Sequence, residues 1–161
     1  MAKQKSTKKE IHRYSDSKLP DRPSKLLKVA LKDFEKAEER KDVEIDMSYW
    51  AEKTNNREQP YCVCLAGAVM IGTLNKLEEA AELDGAGFDL ADFPKEYDKL
   101  SALSFFSFGS VPEGLTYFVG FEKAEEIKLD INFAYVPYHE SLVQWWAYMD
   151  GLVTALEERG L

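Results

Sequence analysis

The chain has 161 residues, of which 45% are apolar and 31% charged, a composition typical of one globular domain. No apolar run approaches the ~20 residues that a membrane-spanning helix needs, and the polar, basic N-terminus lacks the apolar core of a secretory signal. The two cysteines, Cys62 and Cys64, stand too close together to build a disulfide framework. These features predict an intracellular protein in a reducing compartment, without membrane contact.

Charge is distributed unevenly along the sequence. Residues 1–22 contain seven Lys or Arg and three Asp or Glu, a net charge of +4, and the remaining residues contain 14 and 26, a net charge of −12. An acidic body of this kind repels nucleic-acid phosphates and attracts basic surfaces. Direct nucleic-acid binding by the body is therefore disfavoured, and a protein partner with a basic surface is favoured.

The first part of the chain divides into a tail and a helix. Residues 1–20 are rich in Lys and Ser, which is typical of a mobile basic tail, so we expect a single domain over residues 21–161. Apolar residues at helical spacing predict a first helix over residues 25–40, with Ser24 as its candidate N-cap.

Two segments of different character follow the first helix. Residues 43–49 alternate between apolar and polar side chains, which favours a short strand, although Asp46 is an equally good cap for a short helix. Residues 54–60 have the composition of a loop. The run over residues 61–70 is apolar on every side, as in a helix at the centre of a core. We therefore predict a central helix over residues 63–83.

The second half of the sequence predicts three further helices. The first starts near Pro94 and has an inner face that ends at Phe106. Ser110 and Glu113 have the spacing of a capping box, which favours a short helix to residue 119, with a strand as the alternative. A last helix, stopped at Gly160, has an apolar face at helical spacing. We therefore expect a mainly α, single-domain helical bundle of about five helices, with room for a small β element.

The pair Cys62-x-Cys64 is the first candidate for chemistry. Near a helix N-terminus the pKa of a thiol falls, which favours a reactive thiolate, and two thiolates could also bind a soft metal. Zinc, however, requires four ligands, and the only histidines of the chain are His12 and His139. Cysteines with apolar neighbours are mostly buried, so core packing is the favoured interpretation.

Glu78, Glu79 and Glu82 form an E-E-x-x-E cluster on the predicted central helix. Carboxylates at this spacing share a helix face and can bind Mg²⁺ together. The cluster resembles half of the metal site of the all-helical nucleotide pyrophosphohydrolases. Those enzymes use a second acidic pair on the next helix, whereas Asp89-x-x-Asp92 is expected in a loop and lies too close in sequence. A solvated helix face is the favoured interpretation, and no cofactor is predicted.

His139 is the only histidine of the predicted domain. A histidine acts as a general base only beside a nucleophile and an orienting partner, and the sequence points to neither. We expect a capping or surface residue instead. The sequence also lacks the G-x-S-x-G, P-loop, G-x-G-x-x-G and H-E-x-x-H motifs, which favours a non-enzymatic role.

Two pairs of consecutive aromatic residues stand out. Phe105 and Phe106 cannot both face the same core, and neither can Trp145 and Trp146, so one member of each pair is expected at the surface or at an interface. Aromatic side chains are frequent anchors of protein interfaces. These four residues are therefore the candidate protein-binding residues, with core filling and a homo-oligomer interface as competing explanations.

Three motifs carry a family resemblance: L-P-D-R-P-S at residues 19–24, M-x-x-W at residues 47–50 and C-V-C-L-A-G-A-V-M at residues 62–70. With them the chain resembles a family of small uncharacterised proteins encoded by tailed bacteriophages, over roughly its first half and its L-E-E-R-G-L ending. The resemblance implies a chain made in a bacterial host cell and brings no catalytic residues. By analogy, small acidic phage proteins often bind host proteins, for example as inhibitors of defence or nucleic-acid enzymes.

These observations together predict a phage-encoded, non-enzymatic accessory protein of the host cytoplasm. It would bind a basic surface of a host protein through acidic and aromatic residues. The alternatives are a Mg²⁺-dependent nucleotide pyrophosphohydrolase that uses Glu78, Glu79 and Glu82, and a virion or assembly component.

Overall fold

Helices dominate the described part of the chain and one small sheet accompanies them, which confirms the predicted mainly α fold with a β element. Six helices lie in that part, against about five expected. The helices are α1 (Pro23–Glu39), α2 (Leu65–Ile71), α3 (Tyr97–Ser107), α4 (Val111–Val119), α5 (Phe121–Glu126) and α6 (Leu142–Glu158). The strands are β1 (Val43–Ile45), β2 (Ala51–Lys53) and β3 (Tyr61–Val63). The computed structural model describes residues 18–48, 50–53, 58, 61–75, 96–131 and 134–161.

Helix α1 lies at the centre of the fold, where it packs against α2, α3, α6 and β1. It confirms the helix predicted over residues 25–40. Pro23 stands in its first turn, where the fixed φ of proline suits a helix and no N–H is needed. The N-cap prediction was wrong, because Arg22 is the N-cap residue and Ser24 is buried inside the first turn. The buried apolar face consists of Leu26, Leu27, Ala30, Leu31, Phe34 and Ala37.

The sheet has the order β1-β3-β2, with β1 parallel and β2 antiparallel to β3. Strand β1 confirms the short strand predicted from the alternation of residues 43–49, over the first three of these residues. Strand β3 corrects the central-helix prediction, because Val63 is extended and α2 begins only at Leu65. A strand and a helix that are buried on all sides are both apolar throughout, so periodicity does not separate them.

Helix α2 is also shorter than predicted. It ends at Ile71, and residues 72–75 form a turn. The buried carboxylate of Asp33 on α1 holds this turn, since its Oδ2 accepts hydrogen bonds from the backbone N–H of Thr73 at 3.0 Å and from the Thr73 hydroxyl at 2.6 Å. Gly72 permits the approach, because a Cβ there would lie 2.7 Å from the Asp33 carboxyl carbon. The rest of the predicted helix lies outside the described residues.

The second half of the fold confirms three predicted helices. Leu100, Leu103 and Phe106 on the predicted inner face of α3 are completely buried, and Tyr97 is partly buried. Helix α4 ends at Val119 as predicted, so the strand alternative was wrong. Ser110 is its N-cap residue, but its side chain makes no capping hydrogen bond, so the predicted capping box is not formed. Helix α6 is capped by Ser141, whose side chain accepts a hydrogen bond from the backbone N–H of Gln144 at 3.2 Å.

An aromatic cluster joins α6 to α1 and α3. The ring of Trp145 is completely buried and lies 4.9 Å from the ring of Phe34. Its indole N–H donates a hydrogen bond to the carbonyl of Ser107 at 3.0 Å. The Tyr138 hydroxyl donates to Glu38 at 2.7 Å, and burial, followed by this hydrogen bond, raises the pKa of Tyr138. The hydrogen bond to Ser107 fixes the end of α3 against the core, and the other contacts join the cluster to α1. Within the described ranges, no helix has the length and apolar character that a membrane crossing needs.

Candidate protein-binding groove

The two predicted aromatic pairs are divided between core and surface. Phe106 and Trp145 are completely buried, whereas 36% of Phe105 is exposed and Trp146 is partly buried. The structure therefore removes Phe106 and Trp145 from the candidate binding surface, because no atom of either is accessible to a partner. Trp146 packs against Phe34 at 5.8 Å between ring centroids, which makes it part of the aromatic cluster.

Phe105 lines a groove between α3, α4 and α5, with a volume of about 230 Å³. Helical geometry places the other lining residues there. Thr116 and Tyr117 stand four residues after Pro112 and Glu113 on α4, and residues at this spacing share a helix face. Phe121 and Glu125 are related in the same way on α5. We call this feature the aromatic groove, lined by Phe105, Pro112, Glu113, Thr116, Tyr117, Phe121 and Glu125.

The aromatic side chains of the groove are exposed to an unusual degree. Tyr117 is 43% exposed and Phe121 is 68% exposed. The rings of Phe105 and Tyr117 are stacked, with 6.2 Å between centroids and 29° between planes. Phe108, one turn after Phe105, is 48% exposed as well. Exposed apolar side chains that are contiguous, rather than scattered, mark interaction sites.

Negative charge accompanies these aromatic rings. Glu113 and Glu125 are the charged side chains among the described lining residues. Over residues 105–126 there are four Glu and one Lys, a net charge of −3. Carboxylates beside aromatic faces favour cationic groups, through ion pairing and through attraction of the cation to the rings.

The floor of the groove is part of the rigid core. Gly114 brings α4 against α3, because a Cβ at this position would lie 2.6 Å from the ring of Phe106. A larger residue would push the two helices apart. The hydrogen bond from Trp145 to Ser107 fixes α3 two residues from Phe105. The stacked pair is thus positioned by buried contacts and needs little ordering on binding.

The remaining sequence candidates lie elsewhere. Cys62 and Cys64 are both buried, and the Cys64 thiol contacts the carbonyl of Trp50 at 3.8 Å. Burial raises the pKa of Cys64 to about 11, so the nucleophilic thiolate is disfavoured at neutral pH. This environment opposes thiol chemistry at Cys64, and the burial of both side chains agrees with core packing as the favoured interpretation.

The structure does not place the acidic candidates or His139 in a functional site within the described residues. Glu78, Glu79 and Glu82 lie outside the described residues, as do Asp89 and Asp92. In the part of the chain that the structure describes, no three His, Cys, Asp or Glu side chains are placed to hold a metal ion. His139 is exposed in the turn that precedes the Ser141 cap of α6.

A second groove, of about 500 Å³, lies along α6. It is acidic through Asp130, Asp150 and Glu158, and burial raises the pKa of Asp150. Its other lining residues are small, and it contains no aromatic side chain. It thus shares the charge of the aromatic groove without its rings, which makes it a useful comparison.

Sequence reasoning missed the partners of Phe105 in the groove. The capping-box spacing favoured a helix over this segment, with a strand as the alternative, but the shared face of Glu113 and Tyr117 on that helix was not used as a signal. Comparison with known proteins adds no assignment: no protein-family model, curated protein or solved structure matches the chain.

Proposed function

We propose that this protein is a non-enzymatic binding protein whose aromatic groove takes a basic and partly apolar surface of another protein. The observation that carries the proposal is the combination of exposed aromatic rings with carboxylates as the charged lining groups. The phage resemblance of the sequence makes a protein of the bacterial host the proposed partner. A role as an inhibitor or anti-defence factor is part of the same proposal.

Phe121 is the proposed anchor of this interaction. It is the most exposed aromatic side chain of the groove, at 68%, and burial of a phenylalanine contributes roughly 1.5–3 kcal/mol. Interface energy concentrates in a few such aromatic residues. Glu113 and Glu125 would add attraction over a longer range, which accelerates association and selects against acidic partners.

Affinity capture from host lysate with matched variants tests the proposal. Phe121→Ser removes the anchor from an exposed position, so the fold should remain intact. Val143→Ser is the control, because Val143 is 77% exposed but does not line the groove. We expect one host protein that the unchanged chain and the control retain and that salt elutes, with about tenfold weaker retention by Phe121→Ser.

Two outcomes would count against this function. Equal retention by Phe121→Ser and the unchanged chain would show that the partner binds elsewhere. If no host protein is retained at low salt, the binding function itself loses its support. Circular dichroism of both variants checks that any loss of binding is not a loss of fold.

A further inference from the structure

Residues 1–17 carry a charge opposite to that of the aromatic groove. They contain five Lys or Arg and two Asp or Glu, a net charge of +3, whereas the charged lining residues of the groove are Glu113 and Glu125. Lys8 and Lys9 are adjacent, and Tyr14 follows them within the same segment. The segment combines cations with an aromatic side chain, which is the chemistry that suits stacked rings and carboxylates.

The segment also starts close enough to reach the groove. The described chain begins beside the first turns of α3, where Lys99 donates a hydrogen bond to the carbonyl of Leu19 at 2.7 Å. From Lys99 to Phe105 the helix rises by about 9 Å, at 1.5 Å per residue. Residues 9–17 span up to about 30 Å when extended. The segment is therefore long enough to reach the groove.

We propose that residues 1–17 occupy the aromatic groove of their own chain when no partner is bound. A tethered segment has an effective concentration in the millimolar range, so a contact too weak to join separate molecules is sufficient here. The proposal rests on the binding function proposed above and adds regulation to it. A partner must displace the segment, which lowers the apparent affinity of the groove in proportion to its occupancy.

Zero-length cross-linking of carboxylates to amines tests this occupancy in the full chain, without any partner. A carbodiimide is applied to dilute protein, the monomer is isolated, and the linked peptides are identified by mass spectrometry. We expect links from the lysines of residues 1–17 to Glu113 or Glu125. Asp130 and Glu158 are the control carboxylates, since both line the α6 groove, whose lining contains no aromatic side chain. Links to the groove should exceed links to the controls.

A variant and a salt series complete the experiment. Phe121→Ser should reduce the groove links about tenfold relative to the unchanged chain, and high salt should reduce them as well. Links spread evenly over groove and control carboxylates would overturn the proposal, as would links found only between copies. No partner takes part in this experiment, so an absence of groove links would leave the host-protein capture result unaffected. Likewise, if no host protein is captured, the cross-links still show whether residues 1–17 contact the groove.

Discussion

Cys64 couples the stability of the protein to alkaline pH. Burial raises the pKa of its thiol from 9.0 to about 11 in the folded chain, so between these values the thiol ionises mainly in the unfolded chain. A raised pKa in the folded state gives stability that is complete below the unfolded pKa and is lost as the pH rises toward the folded pKa. For this shift in pKa, the free energy of unfolding falls by about 2 kcal/mol between pH 8 and about pH 10.5.

Urea unfolding of the unchanged chain and of Cys64→Ala at the two pH values measures this loss. The variant is less stable at both, because it leaves a cavity, but only the difference in pH dependence matters. Tyr135, Tyr138 and Tyr148 also have raised pKa values, and their contribution is common to both proteins. We expect the unchanged chain to lose about 2 kcal/mol more than the variant. Parallel losses would refute the reasoning.

Two further substitutions probe how the fold is held together. Gly67→Ala should destabilise the protein by about 3 kcal/mol or more in urea unfolding, because its Cβ would overlap the carbonyl oxygen of Trp50 and the backbone must move. A loss below about 1 kcal/mol would contradict this contact. Trp145→Phe should cost about 2–4 kcal/mol by the same measurement, because it leaves the buried Ser107 carbonyl without its donor and opens a cavity. Trp146→Phe is its control, since Trp146 is only partly buried and its indole N–H donates only a long hydrogen bond, to Glu38 at 3.5 Å. Equal losses in the two variants would argue against the buried hydrogen bond.

Helices α1 and α6 were predictable because their buried apolar residues recur at helical spacing. In α1 the opposite face is charged, whereas in α6 it carries few charges and includes Val143, which is 77% exposed. The stretch that contains β3 and α2 gives no such signal, because every residue of the two elements is buried except Tyr61, which is partly buried. The change from strand to helix at Cys64 depends on the neighbouring β1 and β2, which pair with β3. No local pattern contains that information.

The groove was predictable only in part. The sequence showed that Phe105 and Phe106 must point in different directions, but the choice between them depends on how α3 packs. Tyr117 joins Phe105 only because α4 turns back along α3 after Gly109, whose positive φ of 80° allows the tight turn. Such tertiary contacts do not repeat with a period, so the groove required the structure.

The construction of the groove determines how its function can be tested. Its floor depends on Gly114, because a side chain there would meet the ring of Phe106 at 2.6 Å, so a substitution in the floor alters packing and binding together. Phe121 differs from the floor residues in being mostly exposed, and its loss costs little folding free energy. Variants of Phe121 therefore separate binding from stability, which is the reason that both proposals are tested at this residue rather than at the stacked pair.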